Sequence, residues 1–72
     1  MLTFSEMLAL RRKELKVTQQ ELSKKTGISM VSLRMYEQGK RLPNYTNLNK
    51  ISEALGLNYD EACNILENQK SK

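Results

Sequence analysis

Residues 18–39 read TQQELSKKTGISMVSLRMYEQG, and this stretch decides the fold. Thr18 is followed three residues later by Glu21. At that spacing a threonine hydroxyl and a glutamate carboxylate each satisfy a backbone N–H left over at a helix start. Val17 before the cap and Leu22 four residues after it have the spacing of a hydrophobic staple. A helix therefore begins at Gln19. Gly27 ends it, because glycine enters the left-handed backbone region without a Cβ clash. Ser29 caps a second helix, Ile28 and Leu33 repeat the staple spacing, and Gly39 stops it. Two short helices thus flank Thr26-Gly27-Ile28-Ser29.

Projected at about 100° per residue, the second of these helices has two apolar sides. Leu33 and Tyr36 fall on one. Met30, Val31, Arg34 and Met35 fall on the other. If Leu33 and Tyr36 face a core, the remaining side presents two methionines, a valine and one arginine outward. That composition asks for a partner.

The flanking sequence supplies three more helices. Phe4, Leu8 and Leu15 form a stripe over roughly residues 3–15. Asn44 caps a fourth helix with Leu48, Ile51 and Leu55 on one face and Gly56 as its stop. Asn58 and Glu61 form an Asn variant of the capping box, followed by Tyr59, Ala62, Cys63 and Leu66 on an inner face. Leu22, Ile28, Leu33, Tyr36, Leu48, Ile51 and Leu55 are the expected core. Residues 1–68 are expected to form one all-α domain of five helices, with the motif at about 18–38. A tail, Gln69 to Lys72, has nothing to bury and is expected to be disordered.

Composition narrows the function. The chain has 72 residues, one cysteine and no histidine. One cysteine forms no internal disulfide, and a structural zinc site lacks its ligands. No apolar run is long enough for a membrane span, and the N-terminus lacks the pattern of a signal peptide. A cytoplasmic protein with no cofactor and no metal is expected. No paired carboxylates or activated nucleophile stand out, so an enzyme is not expected.

The net charge of +4 is unevenly spread. Residues 11–41 carry nine basic and three acidic side chains, whereas residues 42–68 carry one basic and four acidic. A cationic half suits a polyanion. Two short helices joined by a glycine-containing turn form a helix-turn-helix unit, whose second helix enters the major groove by its N-terminal residues.

The run from Arg12 to Leu55 resembles the Cro/C1-type (XRE) helix-turn-helix family of phage and bacterial repressors. The resemblance rests on Thr18-Gln19-Gln20-Glu21-Leu22, Gly27-Ile28-Ser29, Leu33, Glu37-Gln38-Gly39-Lys40-Arg41-Leu42-Pro43, Ile51 and Ala54-Leu55-Gly56, in order and at matching spacings. It implies a compact five-helix, lambda-repressor-like domain and a set of roles. Met30, Val31, Arg34 and Met35 hold the base-reading positions. Gln19 holds a phosphate-binding position at a helix N-terminus, where anions are favoured. Gln38, Lys40 and Arg41 lie along the DNA backbone. Thr18, Ser29, Ser32 and Asn44 complete the expected phosphate-binding set. Arg12 and Glu37 form a structural ion pair. Many family members carry Gln, Arg or Ser at the reading positions. Here three of the four are apolar, which suits thymine C5-methyl groups, and Arg34 suits guanine O6/N7. Lys16 replaces a frequent family glycine.

The expected function is a sequence-specific double-stranded DNA-binding regulator, a small repressor or autoregulator, acting as a homodimer on a palindromic operator. Helix five and the preceding Leu57-Asn58-Tyr59 offer apolar surface either for the dimer contact or for closing the monomer's own core. The alternative is an interaction module such as an antitoxin, docking a protein through the apolar face of helix three or helix five.

Overall fold

The computed structural model describes residues 2–70, which fold into five helices: α1 Phe4–Glu14, α2 Gln19–Thr26, α3 Met30–Glu37, α4 Tyr45–Leu55 and α5 Tyr59–Lys70. No strand occurs among the described residues. Each of the five helices starts at a side-chain cap, with Asn58 Oδ1 accepting from Glu61 N–H at 3.0 Å on α5. Thr18 and Glu21 close a reciprocal box on α2, with Thr18 N–H donating to Glu21 Oε1 and Glu21 N–H to Thr18 Oγ1, both at 3.0 Å. Ser29 and Asn44 cap α3 and α4 in extended backbone. Thr3 and Glu6 form the same box on α1. That pair has the spacing of Thr18 and Glu21 and is readable in the sequence by the same rule.

Gly27, at φ 74, closes α2 in the left-handed region. The α1–α2 turn has the same demand but no glycine. Lys16 sits at φ 57 there, the one non-glycine residue with positive φ among the described residues. Val17 N–H then reaches back to Arg12 carbonyl at 3.0 Å.

The core is a cluster of Phe4, Leu8, Leu22, Ile28, Leu33, Tyr36, Leu48, Ile51, Leu55, Ala62 and Leu66. α1 packs on α3, α2 on α3 and α4, and α4 on α5. The α2–α3 turn is clamped from behind by two hydroxyls. Ser23 Oγ donates to Ile28 carbonyl at 2.6 Å, and Thr26 Oγ1 accepts from Ile28 N–H at 3.2 Å.

Three expectations need correction. Leu15 is 43% exposed. The helix stops at Glu14 and Leu15 is its C-cap, so the helical projection no longer places that side chain. Tyr59 is 37% exposed and Cys63 is half-buried, so the inner face of α5 is carried by Ala62 and Leu66. Gln69 and Lys70 are not a disordered tail: α5 continues through them. Gln69 Oε1 accepts a hydrogen bond from Phe4 N–H at 2.6 Å, a tertiary contact that satisfies a leftover donor in the first turn of α1. Ser71 and Lys72 lie outside the described residues.

Candidate nucleic-acid interface

α3 is held on its inner side by burial and at its C-terminal end by polar contacts. Leu33 and Tyr36 are buried. The Tyr36 hydroxyl accepts from Asn47 Nδ2 at 3.1 Å, tying α3 to the first turn of α4. Glu37 receives both prongs of the Arg12 guanidinium: Nε donates to Oε2 at 2.7 Å and Nη2 to Oε1 at 3.0 Å. Arg12 Nη1 also donates to Val17 carbonyl at 2.9 Å. One side chain therefore joins α1, the turn into α2 and the end of α3. Hydrogen bonding to Glu37 raises the Arg12 pKa above its ordinary value, against the opposing effect of burial.

With its back fixed, α3 turns its other face to solvent. Val31 is 63% exposed and Met30 36%. Arg34 is exposed and Met35 half-buried. The four positions expected to read bases therefore share one outward face. Its chemistry is a thioether, an isopropyl group, a second thioether and one guanidinium.

The residues expected to bind phosphate fall into two groups. Gln38, Lys40 and Arg41 are exposed after the end of α3, and Gln19 is half-buried at the first position of α2. Thr18, Ser29 and Asn44 are already committed to caps: their side-chain oxygens accept from Glu21, Ser32 and Asn47 N–H groups. Ser32 is tied to Ser29 twice, because Ser29 Oγ also donates to Ser32 Oγ at 3.0 Å. What these caps offer an anion is the N-terminal end of a helix held in a defined direction.

Two neighbouring groups have jobs the sequence does not announce. Arg11 Nε donates to Leu55 carbonyl at 2.9 Å, closing the C-terminal end of α4. Tyr45 OH donates to Glu67 Oε1 at 3.3 Å, with Lys70 Nζ 4.7 Å from the Tyr45 ring centroid. Burial first, and then the Glu67 carboxylate, push the Tyr45 phenol pKa up. Tyr45 thus fastens α4 to α5.

The clamped turn between two short helices is that of a helix-turn-helix unit, and comparison with known proteins agrees. The helix-turn-helix family model matches residues 8–61. The chain belongs to this Cro/C1-type helix-turn-helix family. It is 43% identical over 58 residues to the cryptic phage CTXphi transcriptional repressor RstR of Vibrio cholerae, covering 81% of this chain and 52% of that protein. It is 39% identical over 67 residues to the uncharacterized HTH-type transcriptional regulator YqaE of Bacillus subtilis, covering 93% of this chain and 58% of that one. The chain thus spans just over half the length of these relatives. Its fold matches the crystal structure of the P22 c2 repressor protein in complex with synthetic operator 9T. The TM-score is 0.80 and the identity 34%, covering 86% of this chain and 94% of that one.

Proposed function

We propose that this chain is a sequence-specific double-stranded DNA-binding transcriptional regulator, a repressor or autoregulator working in the cytoplasm. The observation that carries the reading is the split of α3 into a locked inner side and an exposed apolar face around Arg34. α3 lies in the major groove. Met30, Val31 and Met35 meet thymine methyl groups, and Arg34 gives a bidentate contact to guanine. Gln19, Gln38, Lys40 and Arg41 hold the phosphate backbone, with the capped starts of α2, α3 and α4 at Thr18, Ser29, Ser32 and Asn44 directing helix N-termini at it. With so few hydrogen-bonding readers, DNA shape carries part of the specificity.

Two copies act together on a palindrome. The described residues measure 32 Å in their longest dimension, close to the roughly 34–36 Å between half-sites one helical turn apart. Copies bound on one face of the duplex therefore come within reach of each other. The exposed Asn58 and Tyr59, beside Leu57, which is half-buried against the core, are the surface assigned to that contact. The antitoxin alternative draws no support from the relatives, which are named as transcriptional regulators.

The test is selection of duplexes from a random pool, followed by fluorescence anisotropy across a salt series. The selected site is expected to be preferred over a scrambled duplex by about 10³-fold or more, with affinity falling steeply as salt rises. Failure to enrich any site, with equal weak binding to all duplexes, overturns the reading.

A further inference from the structure

Three methionines lie among the described residues, and their surroundings divide them. Met7 is packed against the core. Met35 is half-buried and stands outside the core cluster and the side chains packed on it. Met30 is 36% exposed, at the first position of α3. Helical spacing also gives the two outer methionines different neighbours. Residues three and four apart are neighbours along a helix, so Met30 lies beside Leu33 and Arg34, and Met35 beside Val31, Ser32 and Gln38.

Resting on the DNA-reading role proposed above, we propose that Met30 is a site of reversible sulfoxidation by hydroperoxides and that its sulfoxide switches off site-specific DNA binding. The thioether sulfur attacks one peroxide oxygen. The S–O bond forms as the O–O bond breaks, and the departing oxygen takes up a proton to leave as water or an alcohol. Sulfur loses two electrons and the peroxide gains two. The product is polar and chiral where the thioether was apolar, and sulfoxide reductases reverse the change.

Two effects then act together. A polar oxygen replaces the surface that meets a thymine methyl. That oxygen also accepts hydrogen bonds, one turn away from a guanidinium that only donates. Oxidised Met30 captures Arg34 and withdraws the one cationic reader from its base. None of the neighbours of Met35 is the cationic reader, so its oxidation lacks this second effect. Neither residue belongs to the core, so the fold survives either change.

The experiment uses the full chain in a Cys63→Ser background, which removes the thiol as a competing target. The duplex is one selected by the reduced protein. Hydrogen peroxide is added, the incorporated oxygen is mapped by peptide mass spectrometry, and anisotropy and thermal melting are read. Oxygen on Met30 is expected to weaken binding at least about fivefold, the low end for loss of one bidentate base contact. Melting is expected to stay unchanged, and reductase treatment to restore affinity. In Met30→Leu the loss on oxidation is expected to shrink to the smaller effect of the Met35 sulfoxide alone, whatever the starting affinity; Met35→Leu keeps most of the parent's loss. Undiminished affinity with Met30 oxidised overturns the proposal. So does an equal loss in Met30→Leu, or a drop in melting temperature that accounts for the loss. If the reduced protein selects no duplex, the DNA-reading role itself has failed before any oxidant is added, and the proposal falls with it.

Discussion

Arg12 and Glu37, 25 residues apart in the chain, meet in a two-pronged ion pair whose side chains are only 15% and 10% exposed. At that burial neither charge is well solvated, so each depends on the other. Breaking a buried pair by removing one partner typically costs about 3–5 kcal/mol, because the other charge stays behind uncompensated. Glu37→Ala is expected to destabilise by this amount in urea titrations. The apolar double variant Arg12→Met/Glu37→Leu is expected to recover most of the loss, since both desolvated charges are then gone. A single-variant cost below about 1 kcal/mol, the range of exposed pairs, rejects a structural role for the pair.

Acid should weaken the fold through its two capping boxes. Hydrogen bonds from the Thr3 backbone to Glu6, and from the Thr18 backbone to Glu21, lower both carboxylate pKa values below 4.5. A group with a depressed folded pKa binds its proton more readily in the unfolded chain. Its contribution is therefore fully present above pH 4.5 and is lost as pH falls through the depressed value. Glu21→Gln keeps an amide that can complete the box but removes the titration. Stability measured from pH 7 to pH 2 is expected to fall less steeply in Glu6→Gln/Glu21→Gln than in the parent. Parallel curves count against the assignment.

Lys16 carries a backbone cost that glycine would not. A non-glycine residue in the left-handed region costs roughly 1–2 kcal/mol, and glycine returns part of this as greater freedom in the unfolded chain. Lys16→Gly is expected to stabilise by about 0.5–1 kcal/mol. Gly27→Ala tests the opposite sign. Beyond its two chain neighbours, no atom of the described residues lies within 4 Å of the Cβ it would add, so any loss reports φ 74 and not a clash. A destabilised Lys16→Gly in thermal melts would reject the strain at this turn.

Ser52 is 2% exposed, and its Oγ has no hydrogen-bond partner among the described residues. A buried hydroxyl without a partner keeps its desolvation cost, about 1–3 kcal/mol. Ser52→Ala removes the hydroxyl, leaves a space smaller than a methyl group and favours the helix. The variant is expected to gain about 1 kcal/mol in denaturant titrations. A loss of that size means that the hydroxyl has an ordered partner.

Whatever depends on neighbours in sequence was legible before the structure. Thr18 with Glu21, Ser29, Asn44 and the stops at Gly27 and Gly56 are local devices, and they set where helices begin and end. The inner positions Leu22, Leu33, Leu48, Ile51 and Leu55 follow from helical spacing alone. The misreadings lie where a rule was carried past its range. Helical projection of Leu15 runs beyond the last turn of α1, and Gln69, which has no apolar group to bury, is held by the Phe4 amide 65 residues away. Arg11 with Leu55 carbonyl and Tyr36 with Asn47 were invisible for the same reason: no local pattern announces a hydrogen bond between helices. Pairing of Arg12 with Glu37 came from the family resemblance, since nothing in their spacing requires it. The base-reading positions proposed on α3 come from the same resemblance, and what the structure adds is their exposure.

Uracil differs from thymine by the C5-methyl group that an apolar reader contacts. On a selected half-site, replacing each thymine in turn by deoxyuridine maps the methyl groups that matter. At the positions met by Val31 and Met30, loss of the methyl is expected to reduce affinity by several-fold, consistent with burial of one CH₂-sized group at about 0.8 kcal/mol. The decisive comparison is a cycle with Val31→Ala. If Val31 meets a particular thymine, the deoxyuridine penalty there shrinks in Val31→Ala and stays unchanged at the other thymines. Arg34→Ala is expected to relax preference at a guanine instead, by about 1–3 kcal/mol. Lys40→Ala and Arg41→Ala are expected to weaken all duplexes alike and to flatten the salt dependence. Uniform deoxyuridine tolerance with site preference intact would show that the apolar face of α3 reads no methyl group, and would leave recognition to Arg34 and DNA shape.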